Sequence, residues 1–260
     1  MRTCIALLLL CAAGIAAADD KDTIQTDRPD FVESSMVVGK GRFQIETSIA
    51  GEHNKADGIS ERTLTTPTLL RLGVSDTVEL RAESDGRSWY RASGGGQPAL
   101  RAQGYSDLSL GVKWHVLDAK DGMPAVGLLF DLALDSGSGP FRGEGKRPSV
   151  RIAGDWDLPN EFSLGMMAGV VRDRNPLGAR YSSGVLAASL AKGWTDRFST
   201  YLEIAAPTIA SGANGGSTVS LDFGGAYLLS DDWQVDTGFA RGLNRNTADI
   251  SWTVGLSTRF

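Results

Sequence analysis

The chain has 260 residues, of which 42% are hydrophobic and 22% are charged, and its formal net charge at pH 7 is -5. An acidic balance argues against nucleic acid as a partner, because phosphate backbones are bound by a surplus of Lys and Arg. After residue 18, no stretch of the sequence has the ~18 consecutive apolar residues of a transmembrane helix. Only a closed β-barrel could therefore span a membrane.

Residues 1–18 predict a secretory leader. Arg2 precedes the apolar run CIALLLLCAAGIAA, and small residues follow up to Ala18, where cleavage is expected. The run is short for a membrane anchor. Lipid modification at Cys11 is disfavoured, because the bulky Leu10 stands where lipoprotein processing needs a small residue. Cys4 and Cys11 are the chain's only cysteines, so the mature protein is predicted to have no disulfide.

Residues 19–41 form a polar segment ahead of the first predicted strand. The segment contains the charged and rigid run Thr26, Asp27, Arg28, Pro29, Asp30 and Phe31. Two alternatives are open for it. It could fold into a barrel lumen and pair with wall charges as a small plug, or it could be a periplasmic lead-in that seals the rim.

Residues 42–260 predict an all-β transmembrane antiparallel barrel of about twelve strands, of the outer-membrane type. Frequent glycine and few helix-period stretches favour strands throughout. Each candidate strand is long enough for the ~9–11 tilted residues that cross a bilayer. The candidates are roughly 42–53, 62–74, 76–86, 105–117, 123–135, 148–158, 161–172, 181–194, 197–207, 217–229, 232–242 and 248–260.

Two strands do not fit the pattern cleanly. Pro67 lies inside the strand 62–74 and cannot donate a ladder hydrogen bond, which predicts a bulge or a local break. In the strand 181–194 neither face is cleanly apolar, and Lys192 shares a face with Trp194. Two short strands or a register shift there would change the strand count by two.

The connections alternate in length. Short turns such as GVSDTV and LLSDDW alternate with long polar stretches such as GEHNKADGISER (51–62) and SDGRSWYRASGGGQPALRAQG (84–104). Short turns at one end and long loops at the other are typical of outer-membrane barrels. A soluble sandwich has no reason to sort its loops in this way.

Charged side chains keep to one face of most predicted strands. In the strand 76–86, Glu79 and Arg81 oppose Val78 and Leu80. A barrel would turn the charged face toward a polar lumen and the apolar face toward lipid, where a midplane Arg or Lys costs ~2–4 kcal/mol. These inward side chains either set ion preference or act as struts that pair across a narrow lumen. The candidates are Arg42, Glu46, Arg71, Glu79, Arg81, Glu83, Lys113, Asp131, Arg151, Asp155, Asp157, Glu203, Asp222, Asp236 and Arg259.

Aromatic residues cluster near the short turns. Trp114, Trp156, Trp194 and Trp233 all lie within a few residues of such a turn, and Phe260 ends the last strand. Rings at one height predict an aromatic girdle at the boundary between lipid and water. The alternative is that these tryptophans belong to the core of a soluble sandwich.

Residues for catalysis are scarce. His53 and His115 are the only histidines, there is no G-x-S-x-G motif, and the run SGGG at 93–96 lacks the Lys and the helix of a phosphate-binding loop. We therefore predict no enzymatic activity, no metal site and no cofactor.

The run TDRPDF and the strand that follows it resemble a known family. With Gly41, Arg42, Gln44 and Glu46, this opening is similar to that of the outer-membrane transporter family of the meta-pathway of phenol degradation. The resemblance implies a barrel that passes small solutes, with aromatic compounds among them.

The sequence thus predicts a bacterial outer-membrane channel for passive passage of small solutes. Its expected partners are outer-membrane lipid, small-molecule solutes and the barrel-assembly machinery, and not nucleic acid. A non-transporting barrel that acts in structure or surface interaction is the alternative.

Overall fold

A computed structural model describes residues 22–175 and 177–260. The predicted leader, its cleavage site near Ala18 and residues 19–21 of the N-terminal segment lie outside the described residues. Among the described residues, no helix is long and apolar enough to cross a membrane.

The described chain forms fifteen antiparallel strands. Apolar and polar residues alternate along most of them, which gives each strand one apolar and one polar face. The strands are β1 (Phe43–Ala56), β2 (Ile59–Thr65), β3 (Thr68–Gly73), β4 (Val78–Ser84), β5 (Arg87–Gly94), β6 (Gln97–Tyr105), β7 (Ser109–Leu117), β8 (Ala125–Ala133), β9 (Arg147–Leu158), β10 (Phe162–Arg174), β11 (Arg180–Thr195), β12 (Phe198–Ile209), β13 (Thr218–Ser230), β14 (Trp233–Gly242) and β15 (Ile250–Arg259).

The strands close into one barrel with twelve positions in its wall. The last strand pairs with the first from Gln44 opposite Arg259 to His53 opposite Ile250, which is the full length of β15. Three wall positions each hold two strands end to end, namely β3 with β2, β4 with β5 and β7 with β6. The predicted twelve-strand antiparallel barrel is therefore confirmed.

The break predicted at Pro67 is confirmed. β2 ends at Thr65 and β3 begins at Thr68, and the carbonyl of Pro67 accepts a hydrogen bond from the amide of Ser48 at 2.9 Å. At the other irregular site, β11 remains one strand with register shifts near its two ends. Lys192 lies near the short turns, and its Nζ is 4.6 Å from the ring centroid of Phe162.

The prediction that residues 84–104 form a loop is wrong. They contain β5 and most of β6, a hairpin whose turn is made by Gly94, Gly95 and Gly96 with φ of 132°, 61° and 71°. Residues 51–62 are likewise not a loop, because β1 and β2 continue to a tight turn at Asp57 and Gly58. Among the described strands β6 pairs only with β5, and it also contacts the 3-10 turn Gly139–Phe141.

The apolar face of the barrel points outward. Val254, Leu202 and Leu186 expose 57%, 52% and 51% of their surface on this face, whereas the inward Arg71 and Glu46 are fully buried. This distribution is inverted relative to a soluble protein and fits a wall surrounded by hydrocarbon. The protein is a transmembrane barrel of the outer-membrane type.

The interior is divided into a charged and an apolar side. Basic and acidic side chains from β1, β3, β4 and β7 fill one side. On the other side, β10 to β12 contribute the buried Met167, Val185, Ala187 and Ala205, which pack against Val32 of the N-terminal segment. Side chains of the wall and of the N-terminal segment therefore fill the interior where the segment lies.

Candidate functional site

Residues 22–41 lie inside the lumen without forming a strand. Five of their backbone amides donate to carboxylates of the barrel wall, whereas the amide of Gly41 donates to the carbonyl of Gly73 in β3. The amide of Asp27 donates to Glu46 at 2.9 Å, and the amides of Phe31 and Val32 donate to the two oxygens of Glu203 at 2.9 and 2.8 Å. Wall carboxylates thus satisfy backbone groups that would otherwise be buried without partners.

The same pattern continues along the segment. The amide of Ser35 donates to Asp155 at 2.6 Å, and the amide of Val38 donates to Glu79 at 2.9 Å. Glu46, Glu79, Asp155 and Glu203 lie on β1, β4, β9 and β12, respectively, which are spread around the barrel. The segment therefore lies inside the ring of strands.

Asp27 is the centre of the charged side. Its carboxylate lies 2.7 Å from Nζ of Lys113, 2.5 Å from Nη1 of Arg81 and 3.4 Å from Nη1 of Arg71. All four side chains are almost completely buried. One carboxylate of the segment thus ties together three cations from three strands.

Glu33 forms a second ionic contact between the segment and the wall. Its oxygens lie 2.6 Å from Arg81 and 2.5 Å from Arg151, and Arg151 also contacts Asp131 at 2.8 Å. Nε of Arg71 lies 2.8 Å from a carboxylate oxygen of Glu79 in the wall. The cations therefore sit in a network in which nearly every charge has a partner, as burial requires.

Carbonyls of the segment accept hydrogen bonds from the same cations. Nζ of Lys113 donates to the carbonyl of Ser34 at 2.8 Å, and Arg71 donates to the carbonyl of Met36 at 3.0 Å. His115 lies 3.1 Å from the carbonyl of Ser35 through Nδ1. These contacts fix the path of the backbone as well as its charges.

Two wall glycines mark where the segment touches the barrel. A Cβ at Gly127 would lie 2.8 Å from the carbonyl oxygen and 2.9 Å from Cα of Ser35. A Cβ at Gly73 would lie 1.7 Å from the carbonyl oxygen of Gly39. The wall can approach the segment this closely only because these positions lack side chains.

The start and the middle of the segment are also anchored. Arg28 donates to Asp236 at 3.3 Å and to Thr253 at 2.6 Å, toward the end with the long loops. At the short-turn end, Arg259 donates to the carbonyl of Asp22 at 2.6 Å, and Arg42 pairs with the Asp22 carboxylate. The segment therefore reaches from one mouth of the barrel into its middle.

A vestibule of about 380 Å³ lies between the segment and the long loops. Pro29 is on its floor, and Glu52, Asp85 and Asp222 contribute carboxylates to its lining. No Lys or Arg is among the described residues that line it. A smaller cavity of about 150 Å³ lies beside Asp27, Glu33 and Arg151.

The inward candidates predicted from sequence all lie on the phase of the strands that faces the lumen, or at its mouths. Glu46, Arg71, Glu79, Arg81, Lys113, Asp131, Arg151, Asp155, Glu203 and Asp236 take part in the contacts around the segment. Glu83 and Asp222 line the two cavities, Arg42 and Arg259 are at the short-turn mouth, and Asp157 is exposed beside the turn 159–161.

The predicted aromatic residues lie on the outer face near the short turns. Trp114, Trp194, Trp233 and Phe260 are exposed, and Trp156 is half-buried. Phe260 stacks against Phe43 with ring centroids 6.5 Å apart, which joins the two terminal strands at the rim.

Some functional residues were missed. Glu33 was not singled out, because a lone glutamate beyond the TDRPDF run has no motif. The aromatic residues at the opposite edge, Trp89, Tyr105, Phe239 and Trp252, were also missed. Tyr105 and Trp252 stand near the loop-side ends of the predicted strands 105–117 and 248–260, and this placement was the signal that could have found these two.

A long loop is held to the barrel by one carboxylate. Asp107 accepts from the amides of Gly137 and Gly143 at 2.7 and 2.8 Å and from Arg147 at 2.6 Å. Burial alone would raise the pKa of Asp107, but these donors outweigh it and hold the pKa below its usual value. No group of three or more metal-ligating side chains occurs among the described residues.

Residues 26–260 match the family described as "Putative MetA-pathway of phenol degradation", and the chain belongs to this family. None of the curated proteins is significantly similar to it in sequence.

Solved structures show similar folds at low sequence identity. An outer membrane channel from Pseudomonas putida F1 is 11% identical with a TM-score of 0.65, covering 90% of this chain and 100% of its own. The KdgM porin in complex with disordered oligogalacturonate is 10% identical with a TM-score of 0.53, covering 84% and 99%. The β-domain of the Bordetella autotransporter BrkA is 14% identical with a TM-score of 0.51, covering 85% and 100%.

Proposed function

We propose that the protein is an outer-membrane channel for passive passage of small solutes. The observation that carries the proposal is a closed wall that is apolar outside and charged inside, around a lumen that opens into a vestibule. The fold shared with an outer membrane channel and with a porin supports it. The family description supports aromatic compounds as candidate solutes.

We further propose that residues 19–41 are a plug and that this structure is the closed state. The salt bridges of Asp27 and Glu33 and the amides bound to wall carboxylates support the plug over a lead-in at the rim. A narrow lumen crossed by such a segment leaves little space for a solute. Passage then requires the segment to shift or to leave.

The vestibule favours neutral or cationic solutes. Glu52, Asp85 and Asp222 give it an acidic lining, and Tyr201 and Phe141 add aromatic surface. Rings of like charge at a pore mouth repel ions of the same sign. Neutral aromatic compounds are therefore preferred to aromatic carboxylates.

A non-transporting barrel is the second candidate, and one observation favours it. The lumen is occupied by a segment whose polar groups are extensively satisfied, as a permanent structural filling would be. Under this alternative the long loops would carry the function.

The location and processing belong to the proposal as well. The leader 1–18 is cleaved near Ala18, the barrel-assembly machinery inserts the barrel, and lipid contacts the aromatic girdle. N-terminal sequencing of the mature protein from the outer-membrane fraction tests the cleavage site.

Conductance in planar bilayers and solute uptake into proteoliposomes separate the two candidates. We expect brief openings from the full-length mature chain and steady conductance from a chain that lacks residues 24–38, with faster uptake of phenol than of benzoate. A variant shortened in the exposed loop 212–216 is the control and should behave like the unmodified chain. Absence of conductance and uptake from both the mature chain and the deletion variant would favour the non-transporting barrel.

A further inference from the structure

The outer face of the barrel carries a row of arginines next to the long-loop end. Arg62, Arg91 and Arg101 lie directly opposite one another on the adjacent strands β2, β5 and β6. All three are exposed. They share the face of Leu64, which is the outward face, because side chains alternate along a strand.

These three charges are uncompensated. Within the part of the chain that the structure describes, none of them has an ion pair or a side-chain hydrogen bond. The nearby carboxylate of Glu61 is on the opposite face, where Tyr90 and Asn54 donate to it. Like charges directly opposite each other in a sheet are destabilising, so a bound anion would reduce the repulsion among these three arginines.

An apolar row lies immediately beside the arginines on the same face. Leu64 pairs with Trp89 across the strands, and Gly51 lies between Leu64 and Trp252. A Cβ at Gly51 would lie 2.6 Å from the ring of Trp252, so the glycine leaves room for the ring to cover it. The two rows together line a groove of about 990 Å³.

A fourth arginine strengthens the combination of charge and aromatic surface. The guanidinium carbon of Arg87 is 5.7 Å from the ring centroid of Trp89 and 4.9 Å from that of Tyr105. Aromatic residues of this kind prefer the boundary between lipid and water. The basic row and the apolar row are two residues apart along each strand, which is roughly 7 Å.

We propose that this groove binds a phosphorylated lipid of the leaflet that the long loops face. Its acyl chains would lie along the apolar row, which continues the outward apolar band, and its phosphate would contact Arg62, Arg91 and Arg101. Guanidinium groups bind phosphate through paired, charge-assisted hydrogen bonds. A soluble anion would use the arginines alone, whereas the adjoining apolar row selects an amphiphile.

The test measures lipid binding by native mass spectrometry of the mature protein in dodecyl maltoside micelles. The probes are lipid A, which carries two phosphates and several acyl chains, phosphatidylcholine, and inorganic phosphate. We expect retention of lipid A by the unmodified protein and at least tenfold weaker binding by the triple variant Arg62→Gln, Arg91→Gln and Arg101→Gln. Conductance should stay unchanged, because these side chains do not face the lumen.

A matched triple variant controls for total charge. Arg172→Gln, Arg197→Gln and Arg245→Gln remove three other exposed arginines and should leave lipid A binding unchanged. Equal binding by both triple variants would overturn the proposal, and so would binding of inorganic phosphate as tightly as lipid A. If the first triple variant fails to fold, Arg91→Gln alone should weaken lipid A binding several-fold, and unaltered binding there would overturn the proposal too.

Discussion

The ammonium group of Lys113 in the barrel wall lies 2.7 Å from both carboxylate oxygens of Asp27 in the N-terminal segment. Both side chains are almost fully buried. Removing one partner of a buried ion pair typically costs about 3–5 kcal/mol, because the other charge is left uncompensated. The contact is therefore the point at which the segment is most sensitive to substitution.

Asp27→Asn should loosen the segment. The amide keeps the shape of the side chain but leaves Lys113, Arg81 and Arg71 without their shared carboxylate. We expect more frequent channel openings in planar bilayers and faster amide exchange over residues 27–38. Asp76→Asn removes an exposed carboxylate beside a short turn and is the control. Identical exchange in the two variants would show that Asp27 does not hold the segment.

Gly127→Val should displace the segment by steric overlap. Its side chain would enter the space occupied by the backbone of Ser35. We expect higher conductance while the strand content measured by circular dichroism stays the same. Gly212→Val is the matched control, since a Cβ there meets no atom within 4 Å. An unchanged conductance in Gly127→Val would contradict the placement of the segment against β8.

Acidification should release the long loop held by Asp107. Because the pKa of this carboxyl is lowered in the folded protein, its contribution is complete above its usual pKa and is lost as the pH falls through the lowered value. Amide protection factors of Gly137 and Gly143 should therefore fall below about pH 4. Asp107→Asn should lower them already at pH 7. Protection that stays constant in the variant would mean that other contacts hold the loop.

An arginine in the middle of the outer face should destabilise the barrel. Leu202 exposes 52% of its surface on β12, and a midplane arginine facing lipid costs ~2–4 kcal/mol. Leu202→Arg should lower the free energy of unfolding in lipid vesicles by about this amount. Leu243→Arg makes the same change in a loop and should have little effect. Equal stability of both variants would argue against lipid at this face.

The wall of the barrel could be predicted because a bilayer imposes a strong contrast between its two faces. Along β15, Trp252, Val254 and Leu256 alternate with small and polar residues, and the register with β1 follows that pattern. The hairpin of β5 and β6 was missed for the same reason. Arg91 and Arg101 stand on its outer face beyond the apolar band, so neither face shows the alternation that identifies a membrane strand.

The position of the N-terminal segment could not be obtained from local sequence. Asp27 and Lys113 are separated by 86 residues, and their contact depends on the register of several strands. The charge of each side chain was visible, but which carboxylate meets which cation was not. Likewise, Gly127 carries no signal of its own, because its role depends on the backbone of Ser35 opposite it.

A disulfide between the segment and the wall tests the plug most directly. The Cβ of a residue at Gly165 would lie 3.0 Å from Cγ1 of Val32, close to the roughly 3 Å between one sulfur and the far Cβ in a disulfide. The measurement is the conductance of the mature chain with Val32→Cys and Gly165→Cys, before and after reduction. We predict a silent oxidised barrel whose openings return after reduction. Equal conductance in the two redox states, with the disulfide verified by mass spectrometry, would contradict a channel closed by this segment.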